Sequence, residues 1–173
     1  VLIGTDTRGI LRWRDGQWHQ EPGDELVLGV DSIVAMDDGA LYAGGGSGLW
    51  KRDVSSTAWT RVSEEAIREL APLSDGRLGV AYQYRVAFLA ESGSYPVSLS
   101  LGDNPIPLQT IVHFEEYDET WVGSKLGSYR IGRHGWTQYP QATDGVALTG
   151  ACLFADKDVP ATTVDVQGRL LQF

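Results

Sequence analysis

An all-β fold of successive four-stranded antiparallel sheets is predicted by three observations. A strand–turn–strand pattern recurs about every 40 residues, a tryptophan recurs in phase with it, and helix signals are scarce. The pattern is clearest at Leu2–Trp13, Leu41–Arg52 and Trp121–Arg130, with weaker copies at Leu78–Phe88 and Thr163–Leu171. With Gly4, Gly44, Ala81, Gly123 and Val164 taken as equivalent, the steps are 40, 37, 42 and 41 residues. A period of about 40 to 45 residues is that of a β-propeller blade, in which each sheet buries both faces against its neighbours.

Taken in order, the chain opens on a second strand at Val1–Gly4. Asp15-Gly16 then turns the third strand into a fourth that carries Trp18. The next repeat reads as four strands, at Ser32–Met36, Leu41–Gly44, Leu49–Arg52 and Ala58–Val62. Asp38-Gly39, and Asp75-Gly76 one repeat later, predict type I′ hairpin turns, because both central residues of such a turn need positive φ. Ser63–Ala71 is the best helical run, but Pro72 follows it and it is too short to stand alone, so a first strand is expected near Ile67–Leu73. Trp18, Trp59 and Trp136 follow third strands with steps of 41 and 77 residues, and Tyr95 takes roughly the missing place. Large aromatic side chains suit the gaps between sheets. The blades expected are 1–23 (partial), 24–63, 64–102, 103–141 and 142–173 (partial). Beginning on a second strand and ending on a third, at Arg169–Phe173, they read as an incomplete segment of a six- to eight-bladed ring.

Composition supplies exclusions. The 173 residues carry 23 acidic and 14 basic side chains, a net charge of −9, which repels phosphate backbones and anionic lipid. A single cysteine, Cys152, removes any disulfide framework or cysteine-based zinc site within the chain. It falls in the apolar stretch Leu148–Phe154 and reads as a small core residue. No apolar run approaches the roughly 20 residues of a membrane helix. The chain starts at Val1 without a signal segment, so it is expected to begin inside a longer or processed protein.

The strand pair resembles the "W-V-G-T-x-x-G-L-x-R" repeats of propellers in the extracytoplasmic sensor regions of bacterial hybrid two-component regulators. Leu2–Trp13, Leu41–Arg52 and Trp121–Arg130 carry the resemblance, which extends over the whole chain as a repeat. It implies a non-catalytic ligand- or protein-binding module, an extracytoplasmic location, and either the remaining blades of the chain or a partner chain as neighbours. The chain also looks like sortilin-type, sialidase-type and photosystem-assembly propellers. Their Ser-x-Asp-x-Gly-x-Thr-Trp turn is only partial here, at Val54–Trp59 and Arg133–Thr137, so glycosidase activity is not carried over. No Trp precedes Asp, which leaves the Trp-Asp repeat family unmatched.

Specific chemistry finds little support in the residues. His19, His113 and His134 are far apart and lack metal-ligand spacing. Gly44–Gly48 lacks the lysine and helix of a phosphate loop and reads as a hairpin turn. The carboxylates at Asp37-Asp38, Glu64-Glu65 and Glu115–Glu119 are sequence neighbours, which point to opposite faces of a strand and do not form a catalytic pair. There is no calcium loop and no Gly-x-Ser-x-Gly elbow. No catalytic residue, cofactor or metal is therefore assigned.

What remains is geometry. Turns between second and third strands gather on one face of a propeller, and there the chain would place Asp6, Arg8, Ser47, Tyr82, Tyr84, Arg85, Lys125, Asp165 and Gln167. Arg8, Arg85 and Lys125 put a cation at nearly the same turn in three repeats. The expected ligand is a small molecule, carbohydrate or protein, held by a partly basic ring with Tyr82 and Tyr84 as stacking surfaces. The alternatives are a carbohydrate-active hydrolase or lyase and a protein-assembly scaffold.

Overall fold

A computed structural model describes residues 1–22, 29–90, 93–98, 100–101, 104–124, 127–132, 135–139, 148–152, 162–165 and 170–172. These form five antiparallel sheets in which strand order follows chain order. The first comprises β1 (Leu2–Thr5), β2 (Gly9–Arg14) and β3 (Gln17–Gln20). The second comprises β4 (Val30–Ala35), β5 (Leu41–Gly45), β6 (Gly48–Arg52) and β7 (Thr60–Ser63). The third has β8 (Ile67–Pro72), β9 (Leu78–Tyr82), β10 (Arg85–Ala90) and β11 (Gly93–Ser98). A small hairpin, β12 (Ser100–Leu101) with β13 (Asn104–Pro105), precedes the fourth sheet and was not evident from the repeat. That sheet has β14 (Leu108–Phe114), β15 (Glu119–Ser124), β16 (Gly127–Gly132) and β17 (Gly135–Tyr139). The fifth has β18 (Leu148–Cys152), β19 (Thr162–Asp165) and β20 (Leu170–Gln172).

The repeat is reproduced in strand register. Gly4, Gly44, Ala81, Gly123 and Val164 face Ile10, Leu49, Val86, Ser128 and Leu170 at the same place in the pairing of second and third strands. The small residue has a packing cause. Gly4 lies against Val30, and a Cβ built on Gly44 would sit 2.6 Å from Ile67 Cγ2, so each glycine receives the first residue of the next sheet's first strand. First strands make the closest approaches between sheets, with β8 packed on β4 and β5, and β14 on β8 and β9. This is the stacking of propeller blades around an axis lined by first strands.

Three apolar clusters fill the seams. Ile10, Val30, Ala43, Trp50 and Trp59 join the first and second sheets. Leu49, Ile67, Leu70, Leu78 and Val80 join the second and third. Val86, Ile106, Leu108, Ile111, Val122 and Tyr129 join the third and fourth. Each fully buried aliphatic side chain contributes about 1.5–3 kcal/mol relative to exposure. The recurring tryptophans divide. Trp59 is buried in the first seam, beneath the Arg52 guanidinium at 5.1 Å, and Trp136 packs edge-on to Tyr129 at 5.6 Å. Trp18 instead is 44% exposed and pairs with Trp13 across β2 and β3.

Two local expectations are corrected. At Asp38-Gly39 and Asp75-Gly76 only the glycine has positive φ, at 83° and 79°. Gly39 N–H donates to Met36 O and Gly76 N–H to Leu73 O, which makes four-residue turns closed by a left-handed glycine. The aspartates act through their side chains, Asp38 accepting from Ala40 N–H at 2.8 Å and Asp75 from Arg77 N–H at 3.1 Å. Asp15-Gly16 is the type I′ turn, with φ of 51° and 78°. The fourth strand of the second sheet begins at Thr60 and not at Ala58, because Ser56 Oγ accepts the Ala58 N–H and bends the chain first. The first strand expected near Ile67–Leu73 is present from Ile67 to Pro72, where burial of Ile67 and Leu70 overrides a weak helical propensity.

Candidate functional site

The first strands share a feature that no residue type announces. In four consecutive sheets the pairing of first and second strands slips by one residue at the same point, between Val30 and Ser32, Ile67 and Glu69, Leu108 and Thr110, and Leu148 and Gly150. The residues left unpaired are Asp31, Arg68, Gln109 and Thr149. Such β-bulges bend a strand and re-aim a side chain, and they concentrate at sheet edges and binding sites. Each bulge lies opposite the end of the second strand, next to the turn into the third. The extra residues therefore share an end of the sheets with the predicted turn residues.

At the first two bulges the following residue ties one sheet to the next. Ser32 Oγ accepts the Leu70 N–H at 3.1 Å, and Glu69 Oε2 accepts the Ile111 N–H at 2.7 Å and the Thr110 hydroxyl. The turns add a second bridge, with Gly29 N–H donating to Asp6 O at 2.8 Å and Leu108 N–H to Gln83 O at 2.7 Å. Asp31 and Arg68 are exposed, and among the described residues neither side chain has a hydrogen-bond or ion-pair partner. Gln109 Oε1 is buried without a partner among them. An unpaired guanidinium set between a carboxylate and an amide on adjoining inner strands can bind a carboxylate or vicinal hydroxyls in bidentate fashion.

The turn residues are placed as follows. Asp6 and Arg8 lie exposed between β1 and β2, where Thr5 Oγ1 accepts the Arg8 N–H at 3.0 Å. Ser47 lies half-buried between β5 and β6. Tyr82, Tyr84 and Arg85 share the β9–β10 turn, but Tyr82 is 4% exposed and the Arg85 guanidinium sits 3.8 Å from its ring centroid. The open aromatic ring of the pair is thus Tyr84, 44% exposed, whose hydroxyl accepts from Gln83 Nε2 at 2.8 Å. Arg85 also pairs with Glu65 at 2.5 Å. Partial burial opposes its charge, yet the Glu65 hydrogen bond and charge outweigh this and hold its pKa above the usual guanidinium value. Lys125 and Gln167 lie outside the described residues, and Asp165 is placed only as the last residue of β19.

Of the histidines, His19 is exposed on β3 and His134 lies outside the described residues. His113 is 7% exposed between Ser74 Oγ at 3.1 Å and Thr120 Oγ1 at 3.2 Å, a satisfied structural position. Cys152 ends β18. Among the described residues no group of three His, Cys, Asp or Glu side chains could hold a metal ion. None of their helices is long and apolar enough to cross a membrane.

This geometry defines a β-propeller, and comparison with solved structures agrees. The chain is similar to the extracellular domain of the one component system BT4673 from B. thetaiotaomicron, with a TM-score of 0.79 and 15% identity over 99% of this chain and 25% of that one. It is also similar to YCF48 bound to D1 peptide, with a TM-score of 0.72 and 19% identity over 99% and 59%. A streptogramin B lyase matches with a TM-score of 0.68 and 14% identity over 96% and 62%. The chain thus spans a quarter of the first structure and about three fifths of the other two. At such identities the shared property is the fold, which hosts binding modules and enzymes alike. No protein-family model and no curated protein sequence matches the chain.

Proposed function

We propose that the chain is a non-catalytic propeller module that binds an acidic or polyhydroxy ligand at its axial mouth, as the extracytoplasmic sensing part of a bacterial signalling protein. The observation that carries this is the series of bulges, which presents Asp31, Arg68 and Gln109 from adjoining inner strands with Asp31 and Arg68 unpaired among the described residues. Arg68 is the anchor for a carboxylate, with Asp31 and Gln109 selecting hydroxyl or amide groups beside it. Tyr84 and the exposed Arg8 extend the surface outward, where Ser47, Asp6, Lys125, Asp165 and Gln167 belong to the same proposed rim. Arg85, committed to Glu65 and Tyr82, shapes the rim. The similarity to an extracellular sensor domain supports the location and the role.

D-glucuronate and D-glucose make the test, read by thermal shift and titration calorimetry. Glucuronate is expected to stabilise the protein without being consumed, and glucose to do so less. Arg68→Ala should weaken glucuronate by about tenfold, the loss of roughly one charge-assisted hydrogen-bonded pair. Equal binding to wild type and Arg68→Ala, or turnover of glucuronate, would overturn the proposal.

A further inference from the structure

A second site lies at the opposite end of the sheets, where the turns between first and second strands of the second and third sheets stand side by side. Between them is a cleft of about 610 Å³, within the size range of small-molecule sites. Its floor is apolar, formed by Met36, Tyr42, Leu73, Leu78 and Leu89. Leu73 and Leu78 are buried, whereas Met36, Tyr42 and Leu89 are half-buried and pack on the core while presenting surface to the cleft.

Charges stand around the mouth: Asp37, Asp38, Asp75, Lys51 and Arg77. Both cations are committed. Lys51 pairs with Asp53 at 2.8 Å, and Arg77 pairs with Asp75 at 2.6 Å and covers Phe88 at 5.3 Å. Asp38 is partly committed, since its Oδ1 caps the turn through Ala40 N–H. The Asp37 carboxylate is exposed and has no hydrogen-bond or ion-pair partner among the described residues. An apolar floor thus meets a mouth whose uncommitted charge is negative, in a chain of net charge −9. Such a field attracts cations, and a carboxylate at the rim of an apolar pocket orients a ligand with one cationic end.

We propose that this inter-blade cleft binds an amphipathic amine, a ligand with an aromatic or alkyl body and a protonated amino group. The body lies on Met36, Tyr42 and Leu89, and the ammonium meets Asp37 at the mouth. The site is distinct from the axial mouth, to which it contributes no residue.

Tryptamine and its neutral isostere tryptophol are suitable probes, followed by backbone amide shifts in ¹H–¹⁵N spectra of the isotopically labelled protein. Tryptamine is expected to shift Gly39, Gly76 and Leu89 saturably, and tryptophol to bind the same residues about two- to fivefold more weakly, the value of one partly exposed charge contact. Asp37→Asn should remove that difference by weakening tryptamine alone. Asp37 is an exposed turn residue, so the variant keeps the fold. Ala90→Trp, at the cleft edge, should abolish binding of both compounds. Equal affinity for tryptamine and tryptophol in the wild type, absence of saturable shifts at the cleft, or unaltered binding by Ala90→Trp would overturn the proposal. Glucuronate binding at the axial mouth is read separately and is expected to survive both substitutions.

Discussion

The seam between the first and second sheets is closed by one carboxylate shared between two arginines. Glu21 follows β3, where its N–H donates to Ile10 O at 2.9 Å and fixes its place beside the sheet. Its side chain is 5% exposed. Arg12 on β2 donates from Nε to Oε1 and from Nη2 to Oε2, and Arg52 on β6 donates from Nη1 to Oε2. Glu21→Ala leaves two guanidiniums facing each other without a counter-charge. Removing one partner of a fully buried ion pair costs about 3–5 kcal/mol. Arg12 and Arg52 keep 26% and 13% side-chain exposure and can recruit water, so the expected loss is nearer 2–3 kcal/mol. At this chain length that is a fall of about 5–10 °C in Tm.

The same residue has a pH signature. The Arg12 hydrogen bond, opposed by burial and reinforced by Arg52, lowers the Glu21 pKa from its ordinary value of 4.5. A depressed folded-state pKa stabilises above the unfolded pKa, and the contribution is lost as pH falls through the folded value. Urea unfolding of wild type and Glu21→Gln, followed by tryptophan fluorescence, should therefore show a constant gap from pH 8 to about pH 5 that closes under more acid conditions. The other carboxylates are common to both proteins and cancel in the difference. A glutamine variant as stable as wild type at pH 7, or a gap that does not change with pH, would refute the clamp.

Gly44→Val places a branched side chain where a Cβ alone would be 2.6 Å from Ile67 Cγ2, and should cost at least about 1–3 kcal/mol by overpacking, partly restored by Ile67→Ala. Gly46→Ala, with nothing within 4 Å of the added Cβ, is the matched control and should be near-neutral in the same denaturation assay. Glu69→Ala removes the acceptor of the Ile111 N–H and should accelerate hydrogen exchange at Ile111 more than at Val80. Its expected stability loss is about 1.5–3 kcal/mol, the range for a hydrogen bond to a charged group.

The repeat was legible because its cause is steric. Where the second strand crosses the first residue of the next sheet, at Gly4 against Val30 and Gly44 against Ile67, there is little room for a side chain, and the recurring glycine records that crossing in the chain itself. Turn positions were legible for the same reason, although Asp38 and Asp75 show that an Asp-Gly pair marks a reversal without settling its type. In those turns the aspartate side chain caps the loop and the glycine alone supplies the positive φ. The Arg12–Glu21–Arg52 clamp was not legible. Its members occupy non-equivalent places in different repeats, and only folding brings them together.

The bulges were hidden for a different reason. A bulge is an offset in hydrogen-bond register, and nothing about Asp31, Arg68, Gln109 or Thr149 as residue types marks one. Arg8 and Arg85 stand out in the chain as cations at similar turn positions, whereas the bulged series is acidic, basic and neutral and shares no residue type. Yet a core role would favour similar side chains at repeat-equivalent positions, as it does at Ile10, Leu49 and Val86 in the first three sheets. Constant backbone geometry with changing chemistry is what a binding surface requires, because the scaffold sets where each group stands and the individual residue sets what it contacts.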